Sequence, residues 1–221
     1  MNINDVKDSD LRITGEDKLA QIFRRQLELM HKYHAIEKAN GLLVTDEVPV
    51  NLHDALGQYR LKDFAWRITE ELGEALEAIR IHPELVEHYN EEIADALHFL
   101  VEFTILSGMS PSDIMYDHPD RDKLEYLYNL FFVPIQREYW KLVTSVGFVV
   151  EALSIACNCL KNKPWKTSQM MTDTEYFKAQ VCGVWRSFIN LCSNSGIDAD
   201  DLVNLYFKKS EVNKFRQRTD Y

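Results

Sequence analysis

The chain of 221 residues is predicted to be all-α, and three observations predict it. Apolar residues recur at helical spacing along long segments. Capping signatures stand where those segments begin and end. Only 8 Gly and 6 Pro are present, too few for the turns of an all-β fold.

Residues 1–15 are polar and read as a loose segment ahead of a single domain over 16–221. A first helix is predicted over 16–39, where Leu19, Ile22, Phe23, Leu27, Met30 and Tyr33 recur at helical spacing, and Asn40-Gly41 ends it. Residues 42–58 read as a connection. A second helix spans 61–81. His82-Pro83 breaks it, and Pro83 suits the first turn of a third helix running to 106. Gly108 stops that helix, and Ser110-Pro111 starts a short one, with Ser110 as N-cap. Residues 116–124 read as a polar loop, followed by a long helix over 125–162 interrupted near Pro134. Lys163-Pro164-Trp165-Lys166 is a break. Thr172-x-x-Glu175 is a capping box opening a helix to 194, Gly196 ends it, and two short helices finish the chain. Residues 101–116 resemble 188–203, each an apolar helix end, Ser-Gly, and a capped restart, which suggests two related helical halves in one domain.

The formal net charge is −10 with no basic tract, which argues against non-specific nucleic-acid binding. So acidic a protein can still bind a polyanionic nucleotide if divalent metals sit between them, which suggests a metal-bridged site for a phosphate ligand. Cys157, Cys159, Cys182 and Cys192 form no CxxC or zinc spacing and read as free thiols in a reducing cytoplasm. The N-terminus shows no signal-peptide pattern, and no apolar run reaches ~18–20 residues, so no membrane helix is expected.

The most informative feature is a pair of acidic motifs, Glu71-x-x-Glu74 and Glu92-x-x-Asp95. Residues at i and i+3 share a helix face, so each motif projects two carboxylates in one direction. Such pairs are common on solvated faces, but Leu72, Ala75, Ile93, Ala94, Ala96, Leu97 and Phe99 surround these with apolar and small residues, and Gly73 permits close helix approach. The mean of 71 and 95 is 83, and so is the mean of 74 and 92; Pro83 stands at the break. In an antiparallel hairpin, Glu71 is level with Asp95 and Glu74 with Glu92, ~12–18 Å from the turn. Four converging carboxylates require a cation. Hard oxygen ligands select Mg²⁺ or Mn²⁺, and Mg²⁺ bridges to substrate phosphates.

These motifs resemble the all-α nucleoside triphosphate pyrophosphohydrolases: the MazG-like enzymes, the dimeric dUTPases and the phage dCTPase-dUTPases. The C-terminus narrows the resemblance. Lys209, Asn213, Arg216, Gln217 and Tyr221 match the closing Lys-x-x-x-Asn-x-x-Arg-Gln-x-x-Gly-Tyr pattern of the dimeric dUTPase and phage dCTPase-dUTPase branch, with Asp220 in place of the Gly. His98-Phe99 after the second acidic motif matches as well. There are departures: 79–83 read IRIHP where the dimeric dUTPases carry an aromatic, Lys-rich stretch, and Glu102 stands where a small polar residue near the sugar is expected.

The resemblance implies Mg²⁺-dependent hydrolysis of a deoxynucleoside triphosphate to monophosphate and pyrophosphate, with dUTP preferred. It implies metal held by Glu71, Glu74, Glu92 and Asp95, with Glu71 and Glu74 catalytic and Glu71 as general base. Lys209, Asn213, Arg216, Gln217 and Tyr221, with Lys166 from the KPWKTSQM stretch, are the implied phosphate contacts; a Lys, an Arg fork, amides and a phenol are suitable donors for a triphosphate. His98, Phe99, Trp165 and His31 are candidates for base or sugar, and Gln26 and Asn40 lie in the region where the family takes base-reading residues. The implied assembly is a homodimer, for which 137–160 offers a long apolar helix, and the implied location is the cytoplasm, the host's if the chain is phage-encoded. One alternative is dCTP or another deoxynucleotide as substrate. A second is a di-iron bundle, since Glu28-x-x-His31 and Asp95-x-x-His98 imitate Glu-x-x-His. A third is a non-catalytic helical interaction protein.

Overall fold

The structure, a computed structural model, describes residues 1–84, 86–115, 121–130, 138–163 and 165–218. Eight α-helices are seen among them: α1 (Lys18–Ala39), α2 (Ala55–Ile81), α3 (Val86–Leu106), α4 (Pro111–Ile114), α5 (Lys123–Leu130), α6 (Tyr139–Cys159), α7 (Thr174–Asn194) and α8 (Ala199–Arg218). No strand occurs among the described residues, so the predicted all-α class holds. Leu85, 116–120, 131–137, Pro164 and 219–221 lie outside the described residues, and with them most of the predicted polar loop, the Pro134 interruption and part of the 163–166 break.

Asp17 caps α1 by accepting a hydrogen bond from the Ala20 amide at 2.9 Å. Helix α2 begins at Ala55, six positions before the predicted start. Asp54 caps it, accepting from the Gly57 amide at 2.6 Å. Gly57 is required there because a Cβ would stand 2.3 Å from the Asn51 carbonyl oxygen. Gly57, within the 42–58 span read as a connection, is thus a packing residue in the first turn of the helix.

Helices α2 and α3 fold back on each other around His82–Pro83–Glu84 and make the most extensive helix pair, as the symmetry about Pro83 predicts. Leu61, Phe64, Ile68 and Leu72 of α2 and Ile93, Leu97 and Leu100 of α3 are fully or almost fully buried. Ala75 of α2 and Ala96 of α3 are both inaccessible. Gly73 is not needed for a close approach, since a Cβ there would meet nothing within 4 Å.

The predicted internal repeat has a backbone counterpart. Gly108 (φ +70°) and Gly196 (φ +72°) end α3 and α7 in the left-handed region. Met109 N–H bonds Thr104 C=O and Ile197 N–H bonds Cys192 C=O in the same i→i−5 pattern. After it the halves diverge. The first restarts as the short α4, with Ser110 at N-cap and Pro111 at N1 as predicted. The second restarts as α8, one helix of 20 residues rather than two short ones. With no Gly or Pro inside it, nothing breaks that segment.

Two caps differ from expectation. Asp173, not Thr172, caps α7. Thr172 is buried instead, its hydroxyl donating to Leu52 C=O at 2.6 Å and accepting from Gln58 Nε2 at 3.0 Å. The segment ahead of Glu16, read as loose, carries two 3₁₀ turns and buries Ile3 and Val6, with the first turn against α8.

One core runs from Leu19 to Phe207 and includes the fully buried Trp185, whose indole N–H donates to Thr104 Oγ1 at 2.9 Å. Helix α6 packs on α7 and α2 with one face and leaves Trp140, Phe148 and Ile155 exposed on the other. By length and composition α6 is apolar enough to cross a membrane, with a mean hydropathy of 1.7 over an 18-residue window. Thr144, Ser145, Glu151 and Ser154 interrupt the apolar run without lowering its average enough.

Candidate active site

Glu71 and Glu74 sit one turn apart on α2, and Glu92 and Asp95 one turn apart on α3. The hairpin brings an oxygen from each of Glu71, Glu74 and Glu92 within 4.8 Å of the others. Burial pushes the Glu71 carboxyl up to about 8, reinforced by the charges of Asp95, Glu92 and Glu74. Glu92 is raised too, mainly by burial, and is lowered by its hydrogen bond to Glu71. In the metal-free site Glu71 therefore holds the proton and donates to Glu92. Carboxylates forced to share a proton are relieved by a cation, and this cluster fits a divalent one.

Asp95 is held differently. Lys209 Nζ of α8 lies 2.6 Å from Asp95 Oδ2 and 2.6 Å from Glu91 Oε1. The lysine is 3% exposed. Burial alone would lower its pKa, but Asp95 and Glu91 outweigh that and raise it. Burial lifts the Asp95 carboxyl to about 6 against the pull of Lys209. Lys209, read from sequence as a phosphate donor, is thus already engaged by two carboxylates beneath the site.

A pocket of about 270 Å³ adjoins the cluster, and Glu71 belongs to both. The face of α1 that enters it carries Gln26, Leu29, Tyr33 and Glu37; α2 adds Phe64 and Arg67, and α3 adds Asp95, His98, Phe99 and Glu102. Asn213 and Arg216 close it from α8, one turn apart, as their helical spacing suggests. Arg67 lies over Phe64 (4.9 Å) and Phe99 (5.7 Å) and pairs with Asp63 and Glu37. Beside them, His34 Nε2 lies 2.7 Å from Arg60 Nη2 and 3.2 Å from Glu102 Oε1.

Of the residues singled out from sequence, Gln26, Glu71, Asp95, His98, Phe99, Asn213 and Arg216 meet in the pocket, with Glu74 and Glu92 in the adjoining cluster. Gln217 sits beside the Tyr33 hydroxyl. Tyr221 lies outside the described residues. Four candidates are not brought to the pocket. His31 is exposed and, at 100° per residue, points away from the face carrying Gln26 and Tyr33. Trp165 is 77% exposed with Lys163 Nζ 6.0 Å from its ring centre, and Lys166 is exposed beside it. Asn40 is the exposed C-cap of α1. Sequence reasoning missed Tyr33, Glu37, Phe64 and Arg67 as pocket residues. The available signal was Gln26, Tyr33 and Glu37, polar or amphipathic residues on one face of an otherwise apolar helix.

A family model described as dUTPase matches residues 18–221, from the first residue of α1 to the end of the chain. The chain belongs to the dUTPase family. The dUTPase match spans both acidic motifs and the C-terminal stretch, so the resemblance carried by those residues extends over all eight described helices. It makes the chain a hydrolase of the phosphoric anhydride of deoxynucleoside triphosphates, with dUTP as substrate, and leaves the di-iron and interaction-protein readings without support. No curated protein and no solved structure matches the chain.

Proposed function

We propose that residues 16–221 act as one catalytic unit that binds Mg²⁺ through Glu71, Glu74 and Glu92, with Asp95 as the fourth ligand, and hydrolyses dUTP to dUMP and pyrophosphate. The observation that carries this is the position of Glu71, which is both a member of the carboxylate cluster and a wall of the adjoining pocket. The reacting phosphorus and the acidic cluster are thereby neighbours.

The chemistry follows from the residues. When bound, Mg²⁺, or Mn²⁺ in its place, supplies charge neutralisation at phosphate oxygens and a lowered pKa for a coordinated water. Glu71, at the boundary of cluster and pocket, accepts the proton of the attacking water, and Glu74 holds the far side of the cluster. Arg216 and Asn213 reach the phosphates from α8, with Gln217 on the same helix beside them; Tyr221, the remaining residue of the motif, lies outside the described residues. Lys209 serves as the fixed counter-charge that orients Asp95. Phe99 and Phe64, 6.1 Å apart edge to face, give the nucleoside an apolar wall.

Two further parts of the reading rest on the surface. The exposed apolar stripe of Trp140, Phe148 and Ile155 on α6 is matched to a second copy of the chain, giving a homodimer. Four free cysteines, with the Cys157 and Cys192 thiols pushed by burial to about 11 and 12, suit the reducing cytoplasm.

The test is pyrophosphate release from dUTP, dCTP, dTTP, dATP, dGTP and UTP, each with Mg²⁺ and with EDTA. Release from dUTP that requires Mg²⁺ and exceeds release from UTP supports the reading. A dCTP preference would move the substrate and keep the reaction. Release from none of them would remove it.

A further inference from the structure

Helices α1 and α8 each wall two cavities. The faces carrying Gln26, Tyr33, Asn213 and Arg216 line the candidate active site. Positions 21, 24, 25 and 28 of α1 and 207, 211, 214 and 218 of α8 lie on other faces, by helical spacing, and line a separate polar cavity of about 450 Å³. The segment carrying Asp10, Arg12 and Thr14 closes it, and the two cavities share no lining residue.

Five cations reach this second cavity, Arg12, Arg24, Arg25, Lys214 and Arg218, against three carboxylates, Asp10, Glu28 and Glu211. The chain as a whole carries a net charge of −10, so the local excess runs against its overall field. Arg25 is 8% exposed, with its guanidinium 5.2 Å from the Phe207 ring centre. Its Nη1 lies 3.2 Å from Glu211 Oε1 and 3.7 Å from Glu28 Oε2. Lys214 Nζ lies 3.5 and 3.7 Å from the same two oxygens. All four separations exceed the about 2.7–2.9 Å of a charge-assisted hydrogen bond, so both cations keep donors for an anion. Arg12 and Arg218 are exposed and make no ion pair among the described residues.

The closing segment is held in place from below. Gln21, 1% exposed, accepts from the Thr14 amide at 2.7 Å and donates to Thr14 C=O at 3.1 Å and Glu16 C=O at 2.7 Å. Glu16 in turn pairs with Arg24 at 2.7 Å. The donors therefore stand in position before any ligand arrives, which lowers the cost of binding one.

We propose that this cavity is a second anion site, which takes an oligophosphate without a divalent metal. Guanidinium forks match phosphate oxygens in pairs, and several of them suit a multiply charged anion. Phe207 is 3% exposed and covered by Arg25, so no open ring is offered to a base. The chemistry is shared by free pyrophosphate and the phosphate tail of a nucleotide.

The test is calorimetric titration of pyrophosphate, and separately of dUTP, into the full chain freed of metal on a chelating resin, at fixed ionic strength. One-site binding of pyrophosphate is expected. It should weaken about tenfold or more when Arg12→Glu and Arg24→Glu are combined. It should be unchanged in Arg216→Ala, which alters the active-site pocket, and in combined Lys163→Glu and Lys166→Glu, which reverses two charges outside the cavity. Binding of dUTP with the same sensitivity extends the site to nucleotide tails, and binding of pyrophosphate alone assigns it to the free anion. No pyrophosphate binding, a loss in Arg216→Ala as large as in the double arginine variant, or an equal loss in the lysine control overturns the proposal. Should the arginine variant fail to fold, the wild type is mapped by amide NMR. Pyrophosphate must then shift the amides of Arg12, Thr14, Arg25 and Glu211 and leave those of Arg67, Glu71 and Phe99 in place; the reverse pattern overturns the proposal.

Discussion

Lys209 Nζ bridges Asp95 Oδ2 and Glu91 Oε1, 2.6 Å from each, and so plants a cation from the last helix inside the acidic hairpin. Removing one partner of a buried ion pair leaves the other uncompensated, typically at a cost of about 3 kcal/mol or more. Lys209→Met is expected to destabilise the metal-free protein by about that amount in urea unfolding with EDTA, and Mg²⁺ should restore part of it. A loss indistinguishable from zero would show that the bridge is not holding the hairpin.

The metal-free protein should lose stability as pH rises from 6.5 to 8. Glu71 has a folded pKa of about 8 against 4.5 unperturbed, so the folded state binds more protons in between, and deprotonation favours unfolding. His98, at about 3 against 6.5, acts in the opposite sense, and its effect fades within about a unit above 6.5. Asp95, raised to about 6, acts in the same sense as Glu71 and completes its titration early in that window. Melting temperature measured with EDTA is expected to fall by a few degrees across that window and to flatten with Mg²⁺. A rise in EDTA would contradict the electrostatics of the cluster.

Arg216 lines the pocket, is exposed, and stands one turn from Asn213. Its guanidinium contributes a charge-assisted contact to phosphate, a term of about 1.5–3 kcal/mol. Arg216→Ala should lower kcat/KM for dUTP about ten- to hundredfold with an unchanged melting temperature. An unchanged kcat/KM would remove α8 from phosphate binding.

Phe148 is exposed midway along the apolar face of α6, between Trp140 and Ile155. Phe148→Glu places a charge in the centre of the proposed dimer contact. Sedimentation is expected to show a dimer for the wild type and a monomer for the variant. A monomeric wild type would mean that the stripe serves something other than self-association.

Much of this architecture is legible in the sequence because it is local. Helical spacing gives α1, α3 and most of α2, and the positions of the four acids about Pro83 give the hairpin register. The misses are tertiary. Gly57 belongs to α2 because of a close approach to Asn51, which no local propensity reports. Lys209 meets Glu91 across 118 positions, so its ion pairs are invisible to spacing and only its charge is read. Tyr33, Glu37, Phe64 and Arg67 gather because three helix faces converge, whereas His31 fails to join them by lying on the wrong side of α1.

Glu71, Glu74 and Glu92 are proposed to hold the cation that drives dUTP hydrolysis. The most direct test is pyrophosphate release from dUTP at saturating Mg²⁺ by the wild type and by Glu71→Gln, alongside Mn²⁺ binding to each followed by electron paramagnetic resonance. The account predicts Mg²⁺-dependent turnover by the wild type, a loss of at least about a hundredfold in the variant, or roughly 3 kcal/mol of transition-state stabilisation, and weakened Mn²⁺ binding with the fold intact. Near-normal turnover and metal binding in Glu71→Gln would contradict it.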